Sequence, residues 1–198
     1  MVLPNQLTVL RIILTPVFLF LFLSDNPLLK QISVGIYIIA AFTDWYDGWL
    51  ARKFNYITDW GKFLDPLADK ILTSAAFLAF AFLGVLKLWM VIIIIVRDLL
   101  ITGLRLYADY KKKSFTTSWA AKWKTFLQMF FIYYLLLVYT LITFDKIYVG
   151  NEALFAALTD EMLIYYLMLF ITAITFYTGV SYLYKNRLLI KQLFTFEN

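Results

Sequence analysis

The sequence predicts an all-α integral membrane protein with six transmembrane helices. Of its 198 residues, 63% are hydrophobic, and the mean hydropathy is +0.77. Only 16% of the residues are charged, against about 25% in a typical soluble domain. Aromatic residues make up 20% of the chain. Many of the Trp and Tyr residues lie near the ends of apolar runs, where the membrane interface favours them.

Six segments are apolar and long enough to cross a bilayer, which takes about 20 residues. The first contains Arg11, the second ends in a pair of aspartates and the third begins with another pair. The fourth contains Arg97, Asp98 and Arg105. We predict spans at residues 7–23, 32–50, 63–86, 88–108, 119–144 and 162–184.

The distribution of Lys and Arg predicts the orientation of these spans. With both termini on one side, that side holds most of the loop Lys and Arg residues, and the opposite side holds only three lysines. Because cytoplasmic loops are enriched in positive charge, we expect both termini to be cytoplasmic. The chain then forms a single domain over residues 1–198, multi-pass in the cytoplasmic membrane. Its longest outer loop, 145–161, has room for a short interfacial helix.

Two residue types are missing from the composition, and their absence excludes several kinds of chemistry. The chain has no histidine and no cysteine. A Ser-His-Asp triad, a thiol nucleophile, a zinc–thiolate site and a disulfide are therefore all excluded. Carboxylates and lysines must carry any proton transfer. We expect no nucleic-acid partner.

Four aspartates, Asp44, Asp47, Asp65 and Asp69, stand out in this apolar chain. The first two are three residues apart and the last two are four apart, so each pair shares a helix face. A short loop joins spans two and three as antiparallel neighbours, so we expect both pairs to converge on one point at the cytoplasmic interface. Carboxylate oxygens suit Mg²⁺ or Mn²⁺. Two such ions would clamp the attacking and leaving oxygens of a phosphoryl transfer.

Other interpretations of the aspartates are weaker. They could be helix-end carboxylates at a membrane boundary, or an ion-pair network with Arg52 and Lys70, but four at helical spacing favour a metal site. In a different class, a divalent-cation transporter would also need carboxylates. Transporter sites lie near the bilayer midplane between inverted repeats, whereas these aspartates cluster at one face and no repeat is visible.

The spacing from Asp44 to Asp69 matches D-x2-D-G-x2-A-R-x8-G-x3-D-x3-D at every fixed position. The chain thereby resembles the CDP-alcohol phosphatidyltransferase family. Within that family, the segments 5–8, 97–98 and 122–125 look like bacterial phosphatidylglycerophosphate synthases. The resemblance covers about residues 4–130, whereas the last third is generic membrane helix. It implies a CDP-diacylglycerol-dependent enzyme and a homodimer.

The resemblance also implies roles for individual residues. The four aspartates would be the metal ligands, and Asp69 would also be the general base. One difference from many relatives is Asp98, which stands where they carry Glu. The positions matching contacts to the cytidine diphosphate part of the lipid are Asn5, Thr8, Gly48, Arg52 and Thr58.

Three basic residues, Arg105, Lys122 and Lys124, flank the same cytoplasmic mouth as the aspartates. Arg forks and Lys ammonium groups bind phosphate well, so we expect a phosphorylated acceptor. The resemblance implies sn-glycerol 3-phosphate, with phosphatidylglycerophosphate and CMP as products. The same chemistry with another acceptor stays open: phosphatidylglycerol, as in cardiolipin synthesis, inositol phosphate or serine.

Overall fold

The computed structural model describes residues 3–54, 59–113, 115 and 119–194, and within them the chain forms nine α-helices and no strand. Short turns join most consecutive helices. The helices are α1 (Leu3–Phe22), α2 (Pro27–Phe54), α3 (Asp59–Phe82), α4 (Leu88–Tyr110), α5 (Trp119–Leu141), α6 (Asp145–Tyr148), α7 (Glu152–Leu158), α8 (Glu161–Lys185) and α9 (Arg187–Phe194).

Six of these helices, α1 to α5 and α8, have 20 to 28 residues each within the described part of the chain. A rise of 1.5 Å per residue makes a 20-residue helix about 30 Å long, the thickness of a bilayer's hydrocarbon core. Each predicted span falls on one of the six, with ends within five residues. The all-helical prediction is therefore confirmed.

Two of the described stretches, Trp119–Leu141 and Glu152–Lys185, are long and apolar enough to cross a membrane by length and composition. A shorter apolar helix covers Gln6–Phe22. By contrast, α2, α3 and α4 carry aspartates, lysines or arginines within their length, which lowers their hydropathy. The apolar helices indicate a membrane protein, while six spans with cytoplasmic termini stay a prediction.

The core of the bundle is aromatic where α1, α2 and α3 meet. Phe18 lies 5.0 Å from Tyr37 and 5.5 Å from Phe22 between ring centroids, and Phe22 lies 5.2 Å from Phe80. All four side chains are buried. Large apolar side chains such as Phe20, at 78% exposure, point outward, as expected of helices that face lipid.

The helix α1 lies between α2 and α3 and packs along both of them. The second and third spans, predicted as neighbours, do contact each other, but α2 and α3 share less contact with each other than each shares with α1. The aromatic side chains of α1 then fill the space between Tyr37 on α2 and Phe80 on α3.

The loop at 145–161, predicted to lie on the outer side, contains the short helices α6 and α7. Phe155 of α7 is buried and its ring lies 5.8 Å from that of Tyr148. The hydroxyl of Tyr134 on α5 donates a hydrogen bond of 2.5 Å to the carbonyl of Leu158. The predicted short helix is confirmed, and its place at the membrane interface stays a prediction.

Candidate active site

The acidic cluster consists of the four aspartates Asp44, Asp47, Asp65 and Asp69, two on α2 and two on α3. Their separations of three and four residues place each pair on one helix face. Each aspartate lies at least six residues inside its helix, because α2 continues to Phe54 and α3 begins at Asp59. The cluster is therefore deeper than the helix tips at which the sequence places it.

One face of α1 holds the acidic cluster. The guanidinium of Arg11 lies 2.6 Å from Asp44 Oδ1 through Nη1 and 2.7 Å from Asp47 Oδ2 through Nη2. The hydroxyl of Thr8 donates a hydrogen bond of 2.5 Å to Asp65 Oδ1. Residues three apart share a helix face, so Thr8 and Arg11 reach α3 and α2 from the same side of α1.

The two ion pairs of Arg11 differ in burial, and therefore in how much each contributes to stability. Arg11 is fully buried and the side chain of Asp47 is only 4% exposed, whereas that of Asp44 is 45% exposed. A buried carboxylate needs a charged partner, because water no longer solvates it. Arg11 supplies that partner to Asp47, and Asp44 keeps access to solvent.

The acidic cluster is one electrostatic neighbourhood, since the charges of Asp65 and Asp69 act on Asp44. Among the described side chains, however, no three acidic groups lie close enough to hold one metal ion. Among these side chains Arg11 bridges Asp44 and Asp47, and Thr8 bonds to Asp65, so the convergence of all four on a metal site stays a prediction. The donor chemistry nevertheless fits a hard divalent cation, with four carboxylates, of which Asp44 and Asp69 are accessible.

A cavity of about 510 Å³ lies between α3, α4, α5 and α8. The three basic residues predicted to bind acceptor phosphate, Arg105, Lys122 and Lys124, all line it. Lys70 and Arg97 also line it, together with the carboxylate of Asp98. Because cationic side chains outnumber the carboxylate among the described lining residues, this cationic cavity suits an anion, and Arg and Lys are the usual phosphate ligands.

Asp98 organises the cations of the cavity. The ammonium of Lys124 donates a hydrogen bond to Asp98 Oδ1, and Arg97 Nη1 donates a second one of 3.1 Å to the same oxygen. The side chains of Asp98 and Lys124 are 7% and 1% exposed. Asp98 thereby pairs with Lys124, a residue 26 positions away on another helix, as well as with its chain neighbour Arg97.

Lys70 connects the acidic cluster to the cationic cavity. Its ammonium lies 3.6 Å from Asp69 Oδ2 and 3.7 Å from Asp98 Oδ2. The two clusters are therefore adjacent parts of one polar site, with carboxylates for cations on one side and cations for an anion on the other. The sequence gives Lys70 a place only in an alternative ion-pair network, and no local pattern shows that it reaches Asp98 on α4.

The predicted contacts to the donor lipid are described only in part. The side chain of Thr8 bonds to Asp65, which supports the acidic cluster. The other predicted contacts lie outside the residues whose side chains the structure describes, and they are Asn5, Gly48, Arg52 and Thr58.

Carboxylates can hold divalent cations and clustered Arg and Lys side chains can hold phosphate, so the arrangement is suited to phosphate-bearing ligands. The sequence matches the family model described as CDP-alcohol phosphatidyltransferase over residues 1–158. The chain belongs to this family. The predicted family resemblance and the predicted enzyme class, a phosphatidyltransferase, are both confirmed.

Several curated proteins of this family are similar to the chain. The CDP-diacylglycerol–glycerol-3-phosphate 3-phosphatidyltransferase of Bacillus subtilis (strain 168) is 39% identical over 147 residues, covering 68% of this chain and 76% of the relative. The protein of the same name from Rickettsia typhi is 38% identical over 135 residues, with 68% and 76% covered. A probable phosphatidylglycerophosphate synthase of Mycobacterium tuberculosis (strain CDC 1551 / Oshkosh) is 37% identical over 129 residues, with 64% and 61% covered.

Proposed function

We propose that this enzyme transfers the phosphatidyl group of CDP-diacylglycerol to sn-glycerol 3-phosphate, forming phosphatidylglycerophosphate and CMP. The observation that carries the proposal is the cationic cavity next to the acidic cluster, with Lys70 3.6 Å from Asp69 and 3.7 Å from Asp98. An acceptor with its own phosphate needs such a cavity. The names of the relatives from Bacillus subtilis and Rickettsia typhi support the same donor and acceptor.

The acidic cluster is the proposed site of two divalent ions, Mg²⁺ or Mn²⁺, held by Asp44, Asp47, Asp65 and Asp69. When bound, the ions would neutralise the pyrophosphate of the donor and stabilise the departing CMP. Arg11 and Thr8 orient three of the four carboxylates from α1.

The acceptor is proposed to bind with its phosphate in the cationic cavity, against Arg105, Lys122 and Lys124. Its 1-hydroxyl then lies toward Asp69, which is 29% exposed and takes the proton. The hydroxyl oxygen bonds to the β-phosphorus of the donor, and the bond from that phosphorus to CMP breaks. Most of the acceleration comes from positioning and electrostatic stabilisation.

The membrane setting is part of the proposal. Six helices, α1 to α5 and α8, would cross the cytoplasmic membrane with both termini in the cytoplasm. The acyl chains of the donor stay in the bilayer, while its cytidine head and the acceptor come from the cytosol. The donor head would contact Asn5, Thr8, Gly48, Arg52 and Thr58. The chain would act as a single domain over residues 1–198 and as a homodimer, as the family resemblance implies.

The test is an acceptor panel. The purified protein in detergent is incubated with radiolabelled CDP-diacylglycerol and Mg²⁺ or Mn²⁺, and with glycerol 3-phosphate, phosphatidylglycerol or inositol phosphate in separate reactions. We expect phosphatidylglycerophosphate and CMP in equal amounts with glycerol 3-phosphate. A clear preference for phosphatidylglycerol or inositol phosphate would overturn the acceptor assignment. Metal flux into proteoliposomes without CDP-lipid would instead support a transporter.

A further inference from the structure

The helix α8 contributes to the cationic cavity although it lies beyond residues 1–158, which match the family model. Its buried residues include Thr175, Thr178, Gly179 and Tyr182, which recur at helical spacing. Tyr182 lines the cavity itself. The amide of Gln128 on α5 donates a hydrogen bond of 3.3 Å to the hydroxyl of Thr175. One face of α8 is therefore polar and close-packed.

The stem of Arg97, meaning the aliphatic part of its side chain, passes over α8 at Gly179. A Cβ atom at Gly179 would lie 2.8 Å from Arg97 Cγ and 3.4 Å from its Nε. Close-packed interiors do not accommodate such an approach without movement. Because Cγ is near the backbone of Arg97, turning only the tip of the side chain would not relieve the contact. Two other helical glycines, Gly35 and Gly103, have nothing within 4 Å of such an atom.

The guanidinium of Arg97 is held from two sides. Its Nη2 donates a hydrogen bond of 3.2 Å to the hydroxyl oxygen of Thr178, and its Nη1 donates one of 3.1 Å to Asp98 Oδ1. The hydroxyl of Thr178 donates in turn to the carbonyl of Thr175 at 3.1 Å, which leaves its oxygen free to accept from Arg97. The Arg97 side chain is 13% exposed, so water contributes little to holding it.

We infer that Gly179 and Thr178 are positioning residues for the binding of the acceptor's phosphate. Gly179 leaves room for the stem of Arg97, and Thr178 fixes its guanidinium against Asp98. Arg97 and Lys124 share one oxygen of Asp98, so a displaced Arg97 also changes how Lys124 is held. This inference rests on the proposed function, because it assigns the cationic cavity to the acceptor.

The experiment compares Gly179→Ala with Gly103→Ala as the matched control. The apparent KM values for glycerol 3-phosphate and CDP-diacylglycerol are measured on the full chain in detergent. We expect Gly179→Ala to raise the acceptor KM about tenfold, the equivalent of one weakened charge-assisted hydrogen bond, with a small change in the donor KM. Gly103→Ala should change neither. A general folding defect would lower kcat or the amount of folded protein, and it would not raise the acceptor KM more than the donor KM.

A second variant covers the case in which Gly179→Ala does not fold. Thr178→Val keeps the side-chain volume but removes the hydroxyl, so it should raise the acceptor KM, and Thr178→Ser should restore it. In an Arg97→Ala background, Gly179→Ala should add no further change, because the contact then has no partner. An unchanged acceptor KM in both Gly179→Ala and Thr178→Val would overturn the inference.

The failure of the proposed function would look different. Calorimetric titration of wild type with glycerol 3-phosphate reports on binding without turnover. A wild type that neither binds glycerol 3-phosphate nor transfers to it would contradict the assignment of the cavity, and the inference would fall with it. A wild type that binds and transfers, with Gly179→Ala and Thr178→Val unaltered, contradicts only the role of α8.

Discussion

Replacing Arg11 with Met removes the buried charge that holds the acidic cluster to α1. Met is similar in length, so the packing of α1 is largely kept, while both ion pairs to Asp44 and Asp47 are lost. Those pairs have N–O distances of 2.6 and 2.7 Å. We expect Arg11→Met to destabilise the protein, because the buried carboxylate of Asp47 is left without its cation.

The magnitude follows from the burial of each partner. Asp47 is 4% exposed and Arg11 is fully buried, and removing one member of a buried pair costs about 3–5 kcal/mol. Asp44 is 45% exposed, so the loss of its pair adds only about 0–1 kcal/mol. For a chain of this length each kcal/mol lowers the melting temperature by about 2–4 °C, which predicts a fall on the order of 10 °C.

The assay is thermal unfolding in detergent, followed by the fluorescence of the six tryptophans. A matched control is Lys87→Met, which breaks an exposed pair to Glu161 at 3.4 Å and should leave the melting temperature almost unchanged. If Arg11→Met melts like wild type, Arg11 does not neutralise Asp47 and the description of the acidic cluster is incorrect. Added Mg²⁺ or Mn²⁺ should raise the midpoint of Arg11→Met more than that of wild type.

Three further predictions concern activity. Asp65→Asn keeps an oxygen that accepts the hydrogen bond from Thr8 but loses the negative charge. Transfer should therefore fall at least about 100-fold, with an unchanged melting temperature. Near-normal turnover in a radiolabel assay would refute the assignment of Asp65 as a metal ligand. Lys124→Ala should raise the acceptor KM about tenfold, and more than the donor KM, because a charge-assisted hydrogen bond is lost; equal shifts in the steady-state KM values would contradict that role. Chelation with EDTA should stop turnover, and Mg²⁺ or Mn²⁺ should restore it; full activity in EDTA would exclude the divalent ions from the reaction.

The long helices could be predicted from the sequence because each contains an apolar run, which a few charged residues interrupt in α2, α3 and α4. The ends were less predictable: α2 continues to Phe54 past the predicted end at residue 50, since charged residues extend a helix beyond the apolar segment. The short helix α9 (Arg187–Phe194) was not predicted at all. It contains Arg187 and Lys191 and is too short and polar to stand out as a membrane segment.

Residues of the site could be predicted where their spacing along one helix reveals them. They could not be predicted where they meet only through the packing of different helices. The spacing of the four aspartates along α2 and α3 indicates their shared faces. Nothing in that spacing shows that α1 lies between those helices, so the bonds from Arg11 and Thr8 were missed. The contacts that organise the cavity join residues 26 to 81 positions apart, as in Asp98 with Lys124 and Arg97 with Thr178.

The central claim is that the cationic cavity recognises the phosphate of the acceptor beside the acidic cluster. The most direct measurement compares kcat/KM for glycerol 3-phosphate with kcat/KM for glycerol, which has the same hydroxyls but no phosphate. We predict that wild type prefers glycerol 3-phosphate by at least about 100-fold, the equivalent of two charge-assisted hydrogen bonds. Equal use of the two acceptors would show that the cavity does not bind the phosphate and would contradict the claim.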